Sequence, residues 1–267
     1  MTFTYAAVDQ SPDPAQAVAW QERLNDRPAI RTYKERTYEL VAGAEPILDV
    51  GCGPGTDAAA LGMARVLGLD PSSAMCRRAS TRGVTVCRGE AGALPFADLT
   101  FDACRADRVL QHVADPSAAL DELIRVIHPG GRVVVADPDQ ESLTLHVPGV
   151  SEQLTDQVKR LRRDVGYRNG RLASHLPELL TIAGLTDITV EAFPLVITDP
   201  TTRSASRRGP TGGTGAASAS GPPRSWPGGA RPWRTTGRDS STRCSTSSSA
   251  ASGPGVAEGS RHGCRST

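Results

Sequence analysis

The chain has 267 residues, 38% hydrophobic and only 4% aromatic, a low apolar share for a sequence that packs along its whole length. The formal net charge of +1 points to neither nucleic acid nor a membrane surface, and no apolar run approaches the ~20 residues that span a bilayer. Met1-Thr-Phe-Thr-Tyr5 lacks the basic and apolar regions of a signal peptide, so the expected location is cytoplasmic. None of the six Cys are spaced C-x-x-C, and the four in the body (52, 76, 87 and 104) read as reduced, structural thiols.

The charge is uneven. Residues 1–200 carry 20 Lys and Arg against 27 acids, whereas residues 201–267 carry 10 Arg against two acids. An acidic body and a basic tail are two different objects.

In chain order, Ser11-Pro12-Asp13-Pro14 is a turn that opens a helix through Ala15–Leu24, and Pro28 suits the first turn of a second helix, Ala29–Ala42, which Gly43 stops. From Glu45 the pattern alternates. Pro46–Val50 reads as a buried strand, followed by a glycine-rich turn and a helix near Asp57–Arg65. Val66–Asp70 is a second strand, and Ser72–Ser80 a helix with Ser72 as N-cap. Val84–Cys87 and Phe101–Ala106 are strands. Pro116–Ile127 is a helix with apolar residues at 120, 123, 124 and 127, one face of a 3.6-residue period. His128-Pro-Gly-Gly131 breaks it, and Arg132–Asp137 is a fifth strand. Ser151–Val165 and Arg171–Ala183 read as helices and Ile188–Ile197 as a strand. Strands alternating with helices predict an α/β fold: a doubly wound, Rossmann-like, mostly parallel sheet with helices on both faces and an N-terminal helical extension.

Chemistry concentrates in Ile47-Leu-Asp-Val-Gly-Cys-Gly-Pro-Gly-Thr56. A strand ends there in a turn whose Gly51, Gly53 and Gly55 allow close backbone approach to a ligand, and doubly wound sheets bind ligands at such strand ends. A dinucleotide fingerprint needs Gly-x-Gly-x-x-Gly, but here the third glycine falls one place early and Thr56 stands in its position. The Gly-Lys-Ser/Thr of a phosphate-binding Walker loop is absent. Asp70 ends the second strand, 19 residues after Gly51. An acid there accepts both hydroxyls of a ribose, a feature shared by NAD-binding and adenosyl-binding folds.

Leu48-Asp-Val-Gly-Cys-Gly-Pro-Gly55 resembles motif I of the class I S-adenosylmethionine-dependent methyltransferases. Gly68-Leu-Asp-Pro-Ser-Ser-Ala-Met75 resembles their second motif, and Arg88-Gly-Glu-Ala-Gly-Ala-Leu-Pro-Phe96 with Phe101-Asp102 the third. Asp107-Arg-Val-Leu-Gln-His112 and His128-Pro-Gly-Gly-Arg-Val-Val-Val135 resemble the fourth strand and the turn into the fifth. The style is that of the methyltransferases of ubiquinone and menaquinone biosynthesis, over about residues 30–197.

The resemblance implies S-adenosyl-L-methionine as cofactor. Backbone at Gly51, Cys52 and Gly53 would hold its methionine moiety with Asp49 near the ammonium, and Gly55 completes the turn. Asp70 would bind the ribose and Met75 would lie by the adenine. Glu90, where the family usually has Asp, and Ala91 would read the adenine edge, while Asp107 would help close the methionine side. The expected reaction is in-line methyl transfer to an oxygen, carbon or nitrogen of a small-molecule acceptor, with binding energy used mainly for alignment. A general base would be His112, after the fourth strand, ahead of His146 and His175. Tyr5, Trp20 and Tyr33 either close over the pocket or pack in the core. The body has no Lys/Arg stripe that would favour a specific nucleic-acid partner. Two other readings remain: a protein that holds the cofactor without turnover, and an NAD-dependent dehydrogenase.

The methyltransferase domain is expected to span residues 1–199. Residues 200–267 read as a disordered, low-complexity Ser/Gly/Arg-rich tail, because 201–267 contain no Leu, Ile, Met, Phe or Tyr and only one Val. A complete sheet of this family ends with an antiparallel strand between the fifth and sixth, and nothing after Ile197 supplies an apolar one. Serine codons of the TCN type, read one base earlier, become codons for Phe, Leu, Ile or Val, so the Ser245–Ser249 cluster would become apolar. The expectation is therefore that the final strand is missing through a frameshift near residues 198–205, the alternative being a natural Arg/Ser-rich tail.

Overall fold

The computed structural model describes residues 5–63, 65–196, 213–220, 242–243 and 265–266, with backbone alone for residues 5–7 and from 213 onward. A 3-10 helix over Tyr5–Gln10 precedes α1 (Pro14–Asn25) and α2 (Pro28–Leu40). Asp13 caps α1, its carboxylate accepting the Gln16 N–H at 3.1 Å, and a proline opens each helix.

The alternating part then runs β1 (Ile47–Val50), α3 (Thr56–Leu61), β2 (Val66–Asp70), α4 (Ser73–Thr81), β3 (Thr85–Arg88), β4 (Phe101–Asp107), α5 (Pro116–Arg125) and β5 (Ile127–Pro138). α3 is shorter than expected because Gly62, at φ +103°, ends it. The predicted break at 128–131 is instead an irregular opening of β5, where the register against β4 shifts between Phe101 and Ala103. Then come α6 (Glu152–Leu161), a π-helical turn over Arg162–Gly166, α7 (Leu172–Ile182) and β6 (Thr186–Pro194).

The sheet order is β3-β2-β1-β4-β5-β7-β6, with β7 at Gly213–Ser220 antiparallel to both neighbours. This corrects the expectation that the final strand is missing. The expectation rested on apolar content, but a ladder is made by backbone N–H and C=O groups. Gly-Thr-Gly-Ala-Ala-Ser-Ala-Ser contains no proline, so it can pair on both edges. The strand closes the edge of β5 that would otherwise be open. The expected disorder of the rest of 200–267 falls on residues outside the described ones, apart from a two-residue pairing of Thr242–Arg243 with Arg265–Ser266.

Strand alternation builds two core layers. Leu48, Val50, Val133 and Val135 join Leu120 and Leu123 of α5 and Leu176 and Leu180 of α7 on one face. Ile47, Val66, Ala103 and Val134 join Ala58, Leu61 and Ala79 on the other. α2 is tied across the far end of the sheet, where Arg36 grips Glu191 of β6 at 2.7–3.0 Å.

The N-terminal 3-10 helix docks on α4. Asp9 accepts from Ser72 Oγ at 2.6 Å, Ser73 N–H at 2.7 Å and Ala74 N–H at 3.2 Å. What burial it has pushes the Asp9 carboxyl up, but these three bonds outweigh that and hold it at about 2. Its contribution is therefore complete at neutral pH and is lost as pH falls through about 2. Asp9→Ala is expected to cost about 1 kcal/mol, the worth of a helix-capping acceptor. A thermal melt at pH 7 checks it, and an unchanged melting temperature would show the contact to be idle.

Candidate active site

The β1 strand delivers Asp49 and then Gly51, Gly53 and Gly55, all with φ between +55° and +77°. Two of these glycines are required by space as well as by φ. A Cβ on Gly51 would lie 2.4 Å from Val109 Cγ2, and one on Gly53 would lie 2.7 Å from Gln21 Nε2 of α1. The turn is thus closed in by the segment after β4 and by the N-terminal helix.

Asp70, at the end of β2, faces this turn. Its Oδ2 accepts the Gly53 N–H and its Oδ1 the Ser72 N–H, each at 2.9 Å. Each oxygen keeps a further lone pair. Burial raises the carboxyl to about 6, opposed by those two bonds. Met75 is buried with Val8, Ala17 and Val18 of the N-terminal segment, Ala91 is buried and Glu90 is exposed. Cys52 is buried, and burial pushes its thiol well above its ordinary value.

Beneath the turn lies a buried charge cluster. Arg105 of β4 holds Asp49 Oδ1 and Asp57 at 2.9 Å each, Asp107 at 3.4 Å, and donates to Thr37 Oγ1 at 2.9 Å. Lys34 of α2 pairs with Asp57 and with Asp107, the latter at 2.5 Å. The Tyr33 and Tyr38 hydroxyls donate to Asp107 and Asp57, each at 2.9 Å. Three carboxylates therefore face two buried cations, with Arg108 3.8 Å from Asp107. Burial would raise Asp57 and Asp107, but the cations outweigh it and hold both below the ordinary carboxylate range. Asp49 differs: burial prevails over Arg105 and raises it to about 6. Its Oδ2 is buried and has no hydrogen-bond partner, and a buried acceptor left unpaired is costly. That oxygen fits a cationic donor arriving at the glycine turn.

A second group sits where β4 and β5 end. The Asp137 carboxylate accepts the N–H groups of Leu110 and Gln111 at 3.2 and 3.4 Å, and burial raises its pKa well above the ordinary value. The buried Gln111 donates to the Arg108 carbonyl, which leaves its Oε1 without a partner. The buried Gln140 accepts from Arg162 at 2.8 Å, which leaves its Nε2 without a partner. His112 packs against Tyr167, with ring centroids 5.6 Å apart and planes tilted by 37°. Burial first, and then Arg108, lower its pKa to about 4, so the imidazole is neutral at pH 7.

A methyltransferase-domain profile matches residues 48–135, the stretch from the glycine turn to β5. Residues 48–135 thus carry a methyltransferase domain, similar to those of the class I, S-adenosylmethionine-dependent kind. It is 38% identical over 194 residues to an uncharacterized 37.1 kDa protein in transposon TN4556 of Streptomyces fradiae, covering 68% of this chain and 56% of that one. It is 42% identical over 118 residues to a demethylmenaquinone methyltransferase of Thermobifida fusca, covering 40% and 50% respectively. The chain thus spans about half the length of the curated relatives it matches. The N-methyltransferase NodS of Bradyrhizobium japonicum, solved with S-adenosyl-l-homocysteine, superposes with a TM-score of 0.57 at 20% identity, over 82% of this chain and 98% of that one. That likeness shows the shared fold.

Around the glycine turn the domain brings together Asp49, Gly51, Cys52, Gly53 and Asp70. Asp107 lies in the buried ion cluster, and Glu90 is exposed. His112 lies in the second group, whereas His146 and His175 are exposed. Tyr33 is buried and bonded, Trp20 is 44% exposed, and the Tyr5 side chain lies outside the described residues. Sequence reasoning missed Lys34, Arg105, Asp57 and the α1 residues Gln21 and Asn25. Asn25 links Thr56 to Arg108, at 3.2 and 2.7 Å. The available signal was Lys34 itself, one of only two lysines in the chain.

Among the described residues no group of three or more His, Cys, Asp or Glu is placed to hold a metal ion, and no helix is long and apolar enough to cross a membrane.

Proposed function

We propose that this chain transfers the methyl group of S-adenosyl-L-methionine to an oxygen, carbon or nitrogen of a small-molecule acceptor. The observation that carries the reading is the unpaired, buried Asp49 oxygen beside a left-handed glycine turn, with Asp70 opposite. When bound, the cofactor would supply a sulfonium-activated methyl group, to which the acceptor's electron pair would bond as the carbon–sulfur bond breaks and S-adenosylhomocysteine leaves. Asp49 takes the cofactor's ammonium, with the backbone of Gly51, Cys52 and Gly53 around the methionine moiety. The free lone pairs of Asp70 accept the ribose hydroxyls. Met75 and Ala91 line the adenine, Glu90 lies at its edge, and Asp107 holds Lys34 and Tyr33 so that the methionine side stays shut. Gln111 Oε1 and Gln140 Nε2 offer an acceptor and a donor to the substrate.

His112 takes the acceptor's proton at its imidazole lone pair. Because the ring is neutral above about pH 4, its protonation leaves kcat flat from pH 5 upward. His112→Ala is expected to lower kcat about 100-fold, the lower end of general-base catalysis, with the KM for cofactor unchanged. A fall in KM terms alone would reduce His112 to a wall of the pocket.

The deciding experiment is a calorimetric titration with S-adenosylhomocysteine, with NADH as the control. Saturable binding of the former alone supports the reading. Binding of NADH instead would move the site to dehydrogenase chemistry, and cofactor binding without turnover over a broad acceptor set would make the chain a cofactor-holding remnant. The methyltransferase unit is assigned to residues 1–199 together with β7, which completes their sheet.

A further inference from the structure

The loop from Leu110 to Val113 carries Gln111 and His112 to the acceptor end, in a stretch between β4 and α5 that belongs to no strand or helix. Backbone groups in such a stretch must find partners elsewhere. Asp137 of β5 takes the N–H side, through Leu110 and Gln111. A single residue, Asn169, takes the carbonyl side. Its Nδ2 donates to the Leu110 carbonyl at 2.8 Å and to the Val113 carbonyl at 2.9 Å, and its own N–H donates to the Gln111 carbonyl at 3.0 Å. Carbonyls only accept, so these partners fix which way the amide points, and both of its hydrogens are used.

The segment before Asn169 sets its place. The π turn ends at Gly166, and the chain then folds back onto it, so that a Cβ at Gly170 would stand 1.9 Å from the Arg163 carbonyl oxygen. Glycine is required there by space. From the same segment Tyr167 packs against the His112 ring, and Arg162 donates to the Tyr167 hydroxyl at 3.0 Å and to Gln140 Oε1 at 2.8 Å. Residues 162–170 thus reach Gln111, His112 and Gln140 together. Turns of π type interrupting a helix are frequent at functional sites.

We propose that Asn169 is a positioning residue for the acceptor end, clamping the 110–113 loop so that the His112 imidazole and the Gln111 carboxamide keep fixed places. Asn169 touches no reacting atom and acts through the loop. Its effect on methyl transfer rests on the methyltransferase reading, while the clamp itself does not. The His112 ring reports on the clamp. Burial first, and then Arg108 of its own loop, keep the ring neutral down to about pH 4. The other titratable or charged groups packed there are Asp137 of β5, which holds the loop, and Tyr167 with Arg162 beyond it. A released loop admits water to the imidazole, and its midpoint then rises toward the ordinary value of about 6.5.

The test uses two variants of the full chain. Asn169→Ala removes both side-chain donors. Asn169→Asp keeps the shape and volume, so the fold is preserved, but sets carboxylate oxygens against two carbonyls. The His112 ring signal in proton NMR, identified by its loss in His112→Ala, is expected to stay unchanged in the parent between about pH 5 and 8. In both variants it is expected to titrate within that range, with a midpoint near about 6.5. Circular dichroism and S-adenosylhomocysteine binding at about pH 7.5 should match the parent. With an acceptor that the parent methylates, kcat at that pH is expected to fall at least about tenfold, as a misplaced catalytic group requires, with the KM for cofactor unchanged. Below about pH 6.5 the variants should lose further activity, since a protonated ring accepts no proton. The proposal is overturned if His112 does not titrate in a folded Asn169→Asp protein. It is also overturned if the ring titrates there and kcat is unchanged although His112→Ala lowers it. Absence of S-adenosylhomocysteine binding in the parent, with the titration still moved by both variants, would remove the methyltransferase reading and leave the clamp standing.

Discussion

Arg105→Leu is expected to lower the melting temperature by about 10 °C, from the roughly 3–5 kcal/mol lost when one partner of a buried ion cluster is removed and the 2–4 °C per kcal/mol typical of this size. Arg105 is 1% exposed and touches all three carboxylates, the Thr37 hydroxyl and the Tyr38 ring. Leucine fills part of the volume but leaves Asp49, Asp57 and Asp107 facing Lys34 as the remaining buried cation. The sign with pH follows from the directions of the shifts. Asp57 and Asp107 are held low in the parent, so the stability they contribute is present at neutral pH and is lost as pH falls through their folded-state values. The gap between parent and variant should therefore be widest near pH 7 and narrow in acid. Adding Asp57→Asn should recover part of the loss, since one fewer buried charge then lacks a partner. Thermal melts of the parent, the single and the double variant across pH check this. A single variant melting within a degree or two of the parent at pH 7 would show that the cluster contributes little.

Asp70→Ala is expected to weaken S-adenosylhomocysteine binding at least about 100-fold, since two hydrogen bonds to a charged acceptor are each worth about 1.5–3 kcal/mol. The parent should show a related pH dependence. Asp70 and Asp49 both lie at about 6 in the free protein, so their accepting forms prevail above that pH and are lost below it. Affinity should be level above pH 7 and fall on acidification through 6. Calorimetric titrations at pH 5 and pH 7.5 measure it, with circular dichroism confirming that the variant is folded. An Asp70→Ala protein that binds with the parent's affinity would be incompatible with the ribose assignment.

The elements of the cofactor half were legible because their signals are local. Proline opens α1, α2 and α5, the Asp115 carboxylate caps α5 through the Ser117 and Ala118 N–H groups at 2.9 and 3.1 Å, and Ser72 caps α4. The glycine turn was legible for the same reason: left-handed φ at 51, 53 and 55 needs a residue without a Cβ. The π turn at 162–166 was not legible, because the apolar repeat through Val165 continues as if the α-helix did.

By itself, then, the sequence determined which segments become strands and helices, and that Asp49, the glycines and Asp70 stand at the ends of β1 and β2. These follow from backbone preferences and from periods of two and 3.6 residues, which neighbouring residues set. The tertiary structure alone decided that Lys34 reaches Asp57 and Asp107, 23 and 73 residues away, and that Arg105 in mid-strand is a buried hub. A lysine or arginine reads as a solvated charge until the packing of α2 on the sheet removes the water around it. The tertiary structure alone also placed Gly213–Ser220 between β5 and β6, because strand insertion is driven by two open edges of backbone hydrogen-bonding groups that no side-chain pattern records.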